Sequence, residues 1–195
     1  MTDRSCLFNV DKTTGLLDRA EFRPSPNRDA RPDGAEPGLI VVHGISLPPG
    51  QFGGPEIEAL FTNTLDWDAH PFFSEIRGVK VSAHLLIRRD GSVIQFVPLG
   101  ERAWHAGESR FRDRECCNDF SIGIELEGED ETRYDDRQYP VLVAAIRAIC
   151  RAYPAITPRE IAAHSDIAPG RKTDPGPAFD WLRLYDGLGD IKGAP

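Results

Sequence analysis

The chain has 195 residues, 40% of them hydrophobic, and a formal net charge of -8. That length and composition fit one globular domain around one core, and they exclude collagen-like, repeat and disordered architectures. The acidic balance argues against a nucleic-acid partner, because such affinity rests on Lys and Arg at phosphates, although a local basic cluster can still hold a small anion.

The N-terminus, MTDRSCLFNVDKTTG, lacks the basic start and apolar run of a secretory signal. No stretch reaches the roughly eighteen apolar residues that a membrane span requires. The four cysteines, Cys6, Cys116, Cys117 and Cys150, form no C-x-x-C pair, and Cys116 and Cys117 are adjacent, which disfavours a mutual disulfide. The expectation is free thiols, a cytoplasmic location, no membrane contact and a monomeric chain.

Residues 22–38, rich in Pro, Asp, Arg and Gly, read as an irregular arm. LIVVH, residues 39–43, is a short, largely β-branched run and predicts a buried strand that stops at Gly44. A turn-rich stretch follows, then a helix over about 55–64 with Pro55 near its first turn. In residues 81–98 two β-prone runs flank Asp90-Gly91, a hairpin signal. Residues 101–119 have no clear period and read as a long loop, a type of segment that often carries function.

From Ser121 onward, Ile122, Ile124 and Leu126 alternate with Ser121, Gly123, Glu125 and Glu127, so one strand face is apolar and the other small or acidic. Residues 138–152 carry apolar side chains at helical spacing and predict a core-facing helix. Thr157-Pro158-Arg159-Glu160 reads as a capped helical turn. The irregular alternation predicts an α/β protein of mixed type, a central mixed β-sheet flanked by helices within one domain. Residues 1–22 and 182–195 are expected to be peripheral arms. No glycine-rich phosphate loop follows a strand, so a dinucleotide fold is excluded.

Two of the five histidines stand out. His43 ends the predicted buried strand, and His164 sits where an apolar run gives way to a polar loop ending in Asp174-Pro175-Gly176. Zinc hydrolases use three His or carboxylate ligands and leave a fourth position for water. His43, His164 and Asp174 therefore form a candidate triad, the alternative being two loop histidines and an aspartate in a turn. No H-E-x-x-H helix is present. His70 and His84 read as structural.

VVHGISLPPGQFGGP, VSAHLLIRRDGSVIQFVP, RAWHAGES, CNDFSIGIELEG and HSDIAPGRKTDPGPAFDW resemble, in order and spacing, the blocks of AmpD-type anhydromuramyl-L-alanine amidases. That family is grouped with phage lysozyme-type amidases and peptidoglycan recognition proteins. The likeness runs from about Arg23 to Trp181. It implies hydrolysis of the amide between anhydro-N-acetylmuramic acid and L-alanine, with a small muropeptide as substrate, in cytoplasmic peptidoglycan recycling. It implies one zinc ion held by His43, His164 and Asp174, Glu125 as the catalytic carboxylate and Lys172 as transition-state stabiliser. The alternation alone leaves Glu125 and Glu127 equivalent.

Trp104 and His105 belong to a shared block and are expected near substrate, and so is Lys80, where relatives often carry Arg. The chain departs from the pattern at Gly44 (often Asn) and at Cys116 (often Arg), which bears on the peptide preferred. A binding module without catalysis is the alternative of another class. It goes with lost metal ligands, and all three are present here.

Overall fold

The computed structural model describes residues 8–189, so Cys6 and the extreme ends of both expected arms lie outside it. The strands are β1 (Val10–Asp11), β2 (Leu16–Leu17), β3 (Glu21–Phe22), β4 (Arg28–Asp29), β5 (Leu39–Ile45), β6 (Leu85–Ile87), β7 (Val93–Gln95), β8 (Arg102–Ala103), β9 (Arg110–Phe111), β10 (Arg114–Glu115), β11 (Ser121–Glu127) and β12 (Ile161–Ala163). The helices are α1 (Glu56–Phe61), α2 (Pro71–Glu75), α3 (Gln138–Ala152), α4 (His164–Ile167) and α5 (Trp181–Leu188).

Six strands form the central sheet in the order β12-β5-β11-β6-β7-β3. β12, β5, β11 and β6 run parallel, and β6 turns back antiparallel into β7 through the Asp90-Gly91 hairpin. The sheet is thus mixed and has helices on both faces, as expected.

The two faces follow from period-two alternation. Ile40 and Val42 of β5, with Ile122, Ile124 and Leu126 of β11, pack against α3 through Leu142, Ile146 and Ile149. These α3 residues recur at three- and four-residue spacing and are fully buried, each contributing about 1.5–3 kcal/mol. Gln138, at the start of α3, donates through its side-chain amide to the Ile87 and Glu127 carbonyls, which ties the helix to the ends of β6 and β11. On the opposite face Leu39 and Val41 pack with Ala106, Phe120, Ala162 and Ile167, while α1 and α2 cover Leu86, Ile94 and Phe96.

Several segments differ from expectation. The arm before Leu39 is tied in: β3 pairs with β7, β4 pairs with β8, and Ser25 and Asn27 are buried. Asn27 donates to the Val81 carbonyl, and the Ser25 hydroxyl donates to that of Phe61. Two-residue strands carry too little alternation to register in a pattern. Residues 8–22 are not peripheral either, because Phe8 and Leu17 are buried in the α3 core. Nor does the chain fray after Trp181: α5 packs on α3 with Leu184 and Leu188 buried, and Asp180 caps it by accepting the Arg183 N–H. Residues 101–119, expected to be a bare loop, contain β8, the β9–β10 hairpin and a 3-10 turn over Cys117–Asp119. His84 precedes β6 instead of lying within a strand. No helix among the described residues is long and apolar enough to cross a membrane.

Candidate metal centre and active site

In the parallel pairing of β5 with β11, His43 lies opposite Glu125. Both belong to the face turned away from α3, since their neighbours Val42, Ile124 and Leu126 all point into the α3 core. β12 runs parallel on the other side of β5 and delivers His164 just past its end, as the first residue of α4. Three parallel strands thus bring their carboxyl ends to one place, where open α/β sheets commonly bind ligands.

The loop after α4 returns Asp174 to the same point. Ser165 N–H donates to the Asp174 carbonyl, Lys172 N–H to the Ala168 carbonyl, and the Tyr134 hydroxyl to the Pro175 carbonyl. Tyr134 stands so close to Gly44 that a Cβ there would lie 2.1 Å from its hydroxyl oxygen, so this strand end accepts only glycine without rearrangement.

His43 Nδ1 lies 2.9 Å from His164 Nδ1 and 3.3 Å from Asp174 Oδ2, and His164 Nδ1 lies 3.0 Å from that oxygen. Among the described residues these three form a group whose donor atoms all lie within 4.8 Å of one another and could hold a metal ion. The donor set fits. Tetrahedral zinc with bonds of about 2.0–2.1 Å separates its ligand atoms by about 3.3 Å, close to the triangle seen. Burial draws the His43 imidazole down to about 4, against the opposing pull of Asp174, so its lone pair is free at neutral pH. Burial alone would raise the Asp174 carboxyl, but the His164 and His43 imidazoles beside it outweigh burial and hold the group well below the usual carboxylate range. Neutral imidazole and ionised carboxylate are the forms that bind metal.

Glu125 is 8% exposed, and its Oε1 lies 4.0 Å from His43 Nδ1. Its Oε2 is buried without a hydrogen-bond partner. Such an atom is costly to bury, and here it lines a chamber of about 160 Å³ shared with His43, His164, Lys172 and Asp174. Burial and then the Asp174 charge push the Glu125 carboxyl well up, while Lys172 opposes them. Perturbation by burial plus a charged neighbour in a cleft is typical of proton-transfer groups. Glu127, its sequence twin, is occupied: it accepts the Gly53 and Arg89 N–H groups and a hydrogen bond from Arg88. The alternation could not separate these two residues, but their partners do.

The other expected residues fall in different places. His105 is buried at the back of the chamber, its Nδ1 2.9 Å from His43 Nε2 and its Nε2 3.1 Å from the Ser121 hydroxyl. Trp104 is half-buried and pinned through its backbone to Ser82, and it lines neither the chamber nor the groove outside it. Lys80 is exposed between Val79 and Val81, both of which line that groove. The groove, of about 750 Å³, opens from the chamber between an apolar wall that includes Leu60, Phe72 and Ile76 and a polar wall that includes Glu129, Asp130 and Arg171.

The sequence did not single out Ser121, Gly123 or Asn118 as site residues. A Cβ on Gly123 would come within 2.5 Å of the His105 ring, so the glycine makes room for it. Asn118 Oδ1 accepts the N–H groups of both His105 and Ala106. The small-residue face of β11 was the available signal, but it does not say which ring fills the space.

Residues 33–177 match the model of the N-acetylmuramoyl-L-alanine amidase family. The 1,6-anhydro-N-acetylmuramyl-L-alanine amidase AmpD of Enterobacter cloacae is 61% identical over 171 residues, covering 88% of this chain and 91% of that protein. A crystal structure of a selenomethionine derivative of AmpD superposes with a TM-score of 0.89 at 55% identity, covering 92% of this chain and 99% of that one. AmpDH3 from Pseudomonas aeruginosa, solved in complex with an anhydromuramic pentapeptide, matches with a TM-score of 0.61 at 29% identity, over 83% of this chain and 64% of that one. The fold is therefore shared with named amidases over most of the chain, and the chain belongs to the N-acetylmuramoyl-L-alanine amidase family.

Proposed function

We propose that this amidase is zinc-dependent, holds one zinc ion through His43, His164 and Asp174, and acts in cytoplasmic peptidoglycan recycling on anhydromuropeptides. The observation that carries the reading is the triangle of two Nδ1 atoms and one carboxylate oxygen, with the unpartnered Glu125 Oε2 in the same chamber. Zinc at such a site lowers the pKa of bound water to about 7 and polarises a carbonyl.

The bond cleaved joins the lactyl carbonyl of the muramic acid to the nitrogen of L-alanine. Glu125 accepts a proton from the attacking water and returns it to the departing nitrogen, so the carboxyl ends as it began. Lys172 places its ammonium where the carbonyl oxygen gains negative charge, a contribution of about 2.7–4 kcal/mol for one such donor. His105 and the β11 backbone close the rear of the chamber against bulk water. The groove outside receives the peptide, and Lys80 at its rim suits a peptide carboxylate. Trp104 supports Ser82, a chamber-lining residue, through the backbone instead of stacking on substrate.

The anhydro sugar is supported by the names of the relatives and by the anhydromuramic pentapeptide held by AmpDH3. A reducing compartment is supported by Cys116, Cys117 and Cys150, all free thiols. Mass spectrometry after incubation with an anhydromuramyl tripeptide tests the assignment. Free tripeptide and anhydro sugar are expected. Cleavage within the peptide, or an untouched substrate, would contradict it.

A further inference from the structure

Each candidate metal histidine turns Nδ1 toward the shared point and Nε2 away from it. His164 Nε2 lies 3.3 Å from the Ala106 carbonyl, which can only accept, so with Nδ1 and Asp174 given to a metal the ring proton has its acceptor at Nε2. His43 has no such carbonyl. Its Nε2 faces another imidazole, His105 Nδ1, at 2.9 Å. That contact works in either direction, and only one direction frees His43 Nδ1 for a metal.

We infer that His105 is a positioning residue for the metal centre, accepting the His43 Nε2 proton at its own Nδ1 and so presenting His43 Nδ1 as a lone pair. This inference rests on the metal reading given above. A metal on His43 Nδ1 leaves the ring proton on Nε2 and so sets the direction, and the partner behind is compatible with it. His105 Nε2 lies 3.1 Å from Ser121 Oγ, a hydroxyl able to accept the proton that a free Nδ1 leaves on Nε2. The ring is held in place by the close approach of Gly123 and by Asn118, whose Oδ1 accepts the backbone N–H groups of His105 and Ala106. One short segment therefore serves both histidines, His43 through the His105 side chain and His164 through the Ala106 carbonyl. Partners that fix the tautomer of a metal-bound imidazole strengthen binding by about 10- to 100-fold.

Two variants separate this role from simple filling of space. An asparagine amide oxygen sits where imidazole Nδ1 sits, whereas a glutamine amide reaches the Nε2 position. Glutamine is the closer match in volume. If His105 acts as an acceptor, H105N should bind zinc within a few-fold of the parent, and H105Q should bind about 10- to 100-fold more weakly. Competition with a chelating dye reads zinc affinity without reference to activity, and thermal melting of the zinc-free proteins checks the fold. S121A keeps every ring in place and should weaken zinc binding about five-fold, the value of one hydrogen bond. This variant carries the test if H105Q does not fold. H105Q or S121A binding zinc as tightly as the parent would overturn the inference while leaving the metal reading intact. A parent protein that takes up no zinc would overturn both.

Discussion

Glu125 stands opposite His43 across the parallel β5–β11 pair, its Oε1 4.0 Å from His43 Nδ1 and its Oε2 buried without a partner. Register therefore fixes the spacing between the candidate ligand and the candidate proton carrier. A one-residue slip of either strand would turn one of them into the α3 core.

The first prediction follows from that spacing. Glu125→Gln keeps the volume and removes the base, so kcat should fall by about 10²–10⁴, while zinc content per chain stays unchanged. Steady-state kinetics and metal analysis on the same preparation check both. Near-normal turnover would remove Glu125 from the mechanism.

Lys172 is exposed at the chamber mouth, and its charge reaches both His43 and Glu125. Lys172→Ala should lower kcat by about 10²–10³, as loss of one oxyanion donor does, with a much smaller change in KM. A rise in KM at constant kcat would instead mark Lys172 as a ground-state contact.

His84 supplies a pH prediction. It is fully buried beside Arg31, and burial first, then the Arg31 charge, draws its imidazole down to about 3. Below the ordinary value of about 6.5 the unfolded chain takes up a proton that the folded chain refuses, so stability falls as pH drops from there toward the folded value. The loss from this one group approaches about 1.4 kcal/mol per pH unit. His84→Asn keeps an acceptor for the Gly123 N–H that now donates to His84 Nδ1. Urea unfolding of the zinc-free proteins between pH 6 and 5 should show a slope shallower by about that amount in the variant. Parallel slopes would contradict a buried, neutral His84.

Much of this molecule is legible in its sequence where a pattern is long enough to carry a period. The seven residues of β11 and the fifteen of α3 are examples, and Asp90-Gly91 marks the β6–β7 hairpin through turn chemistry. The two-residue strands β3 and β4 escape because two positions show no alternation. α5 looks like a tail in sequence because its burial depends on α3, from which it is distant along the chain. Within the site, His43, His164 and Asp174 stand out as metal-type residues at element ends. Separating Glu125 from Glu127 requires partners on other elements, Arg88, Arg89 and Gly53, that no local window contains. His105 carries the right chemistry but was expected at the substrate, because nothing in its own segment shows that His43 stands in front of it.

The central claim is that the two histidines and the aspartate hold a zinc ion on which the amidase depends. The most direct test is to strip the purified protein with a chelator, add zinc back in measured steps, and follow release of free tripeptide from an anhydromuramyl tripeptide. The account predicts that release is abolished by stripping and recovers in proportion to zinc, reaching its plateau at one zinc per chain. Full activity in protein shown to be metal-free would contradict it.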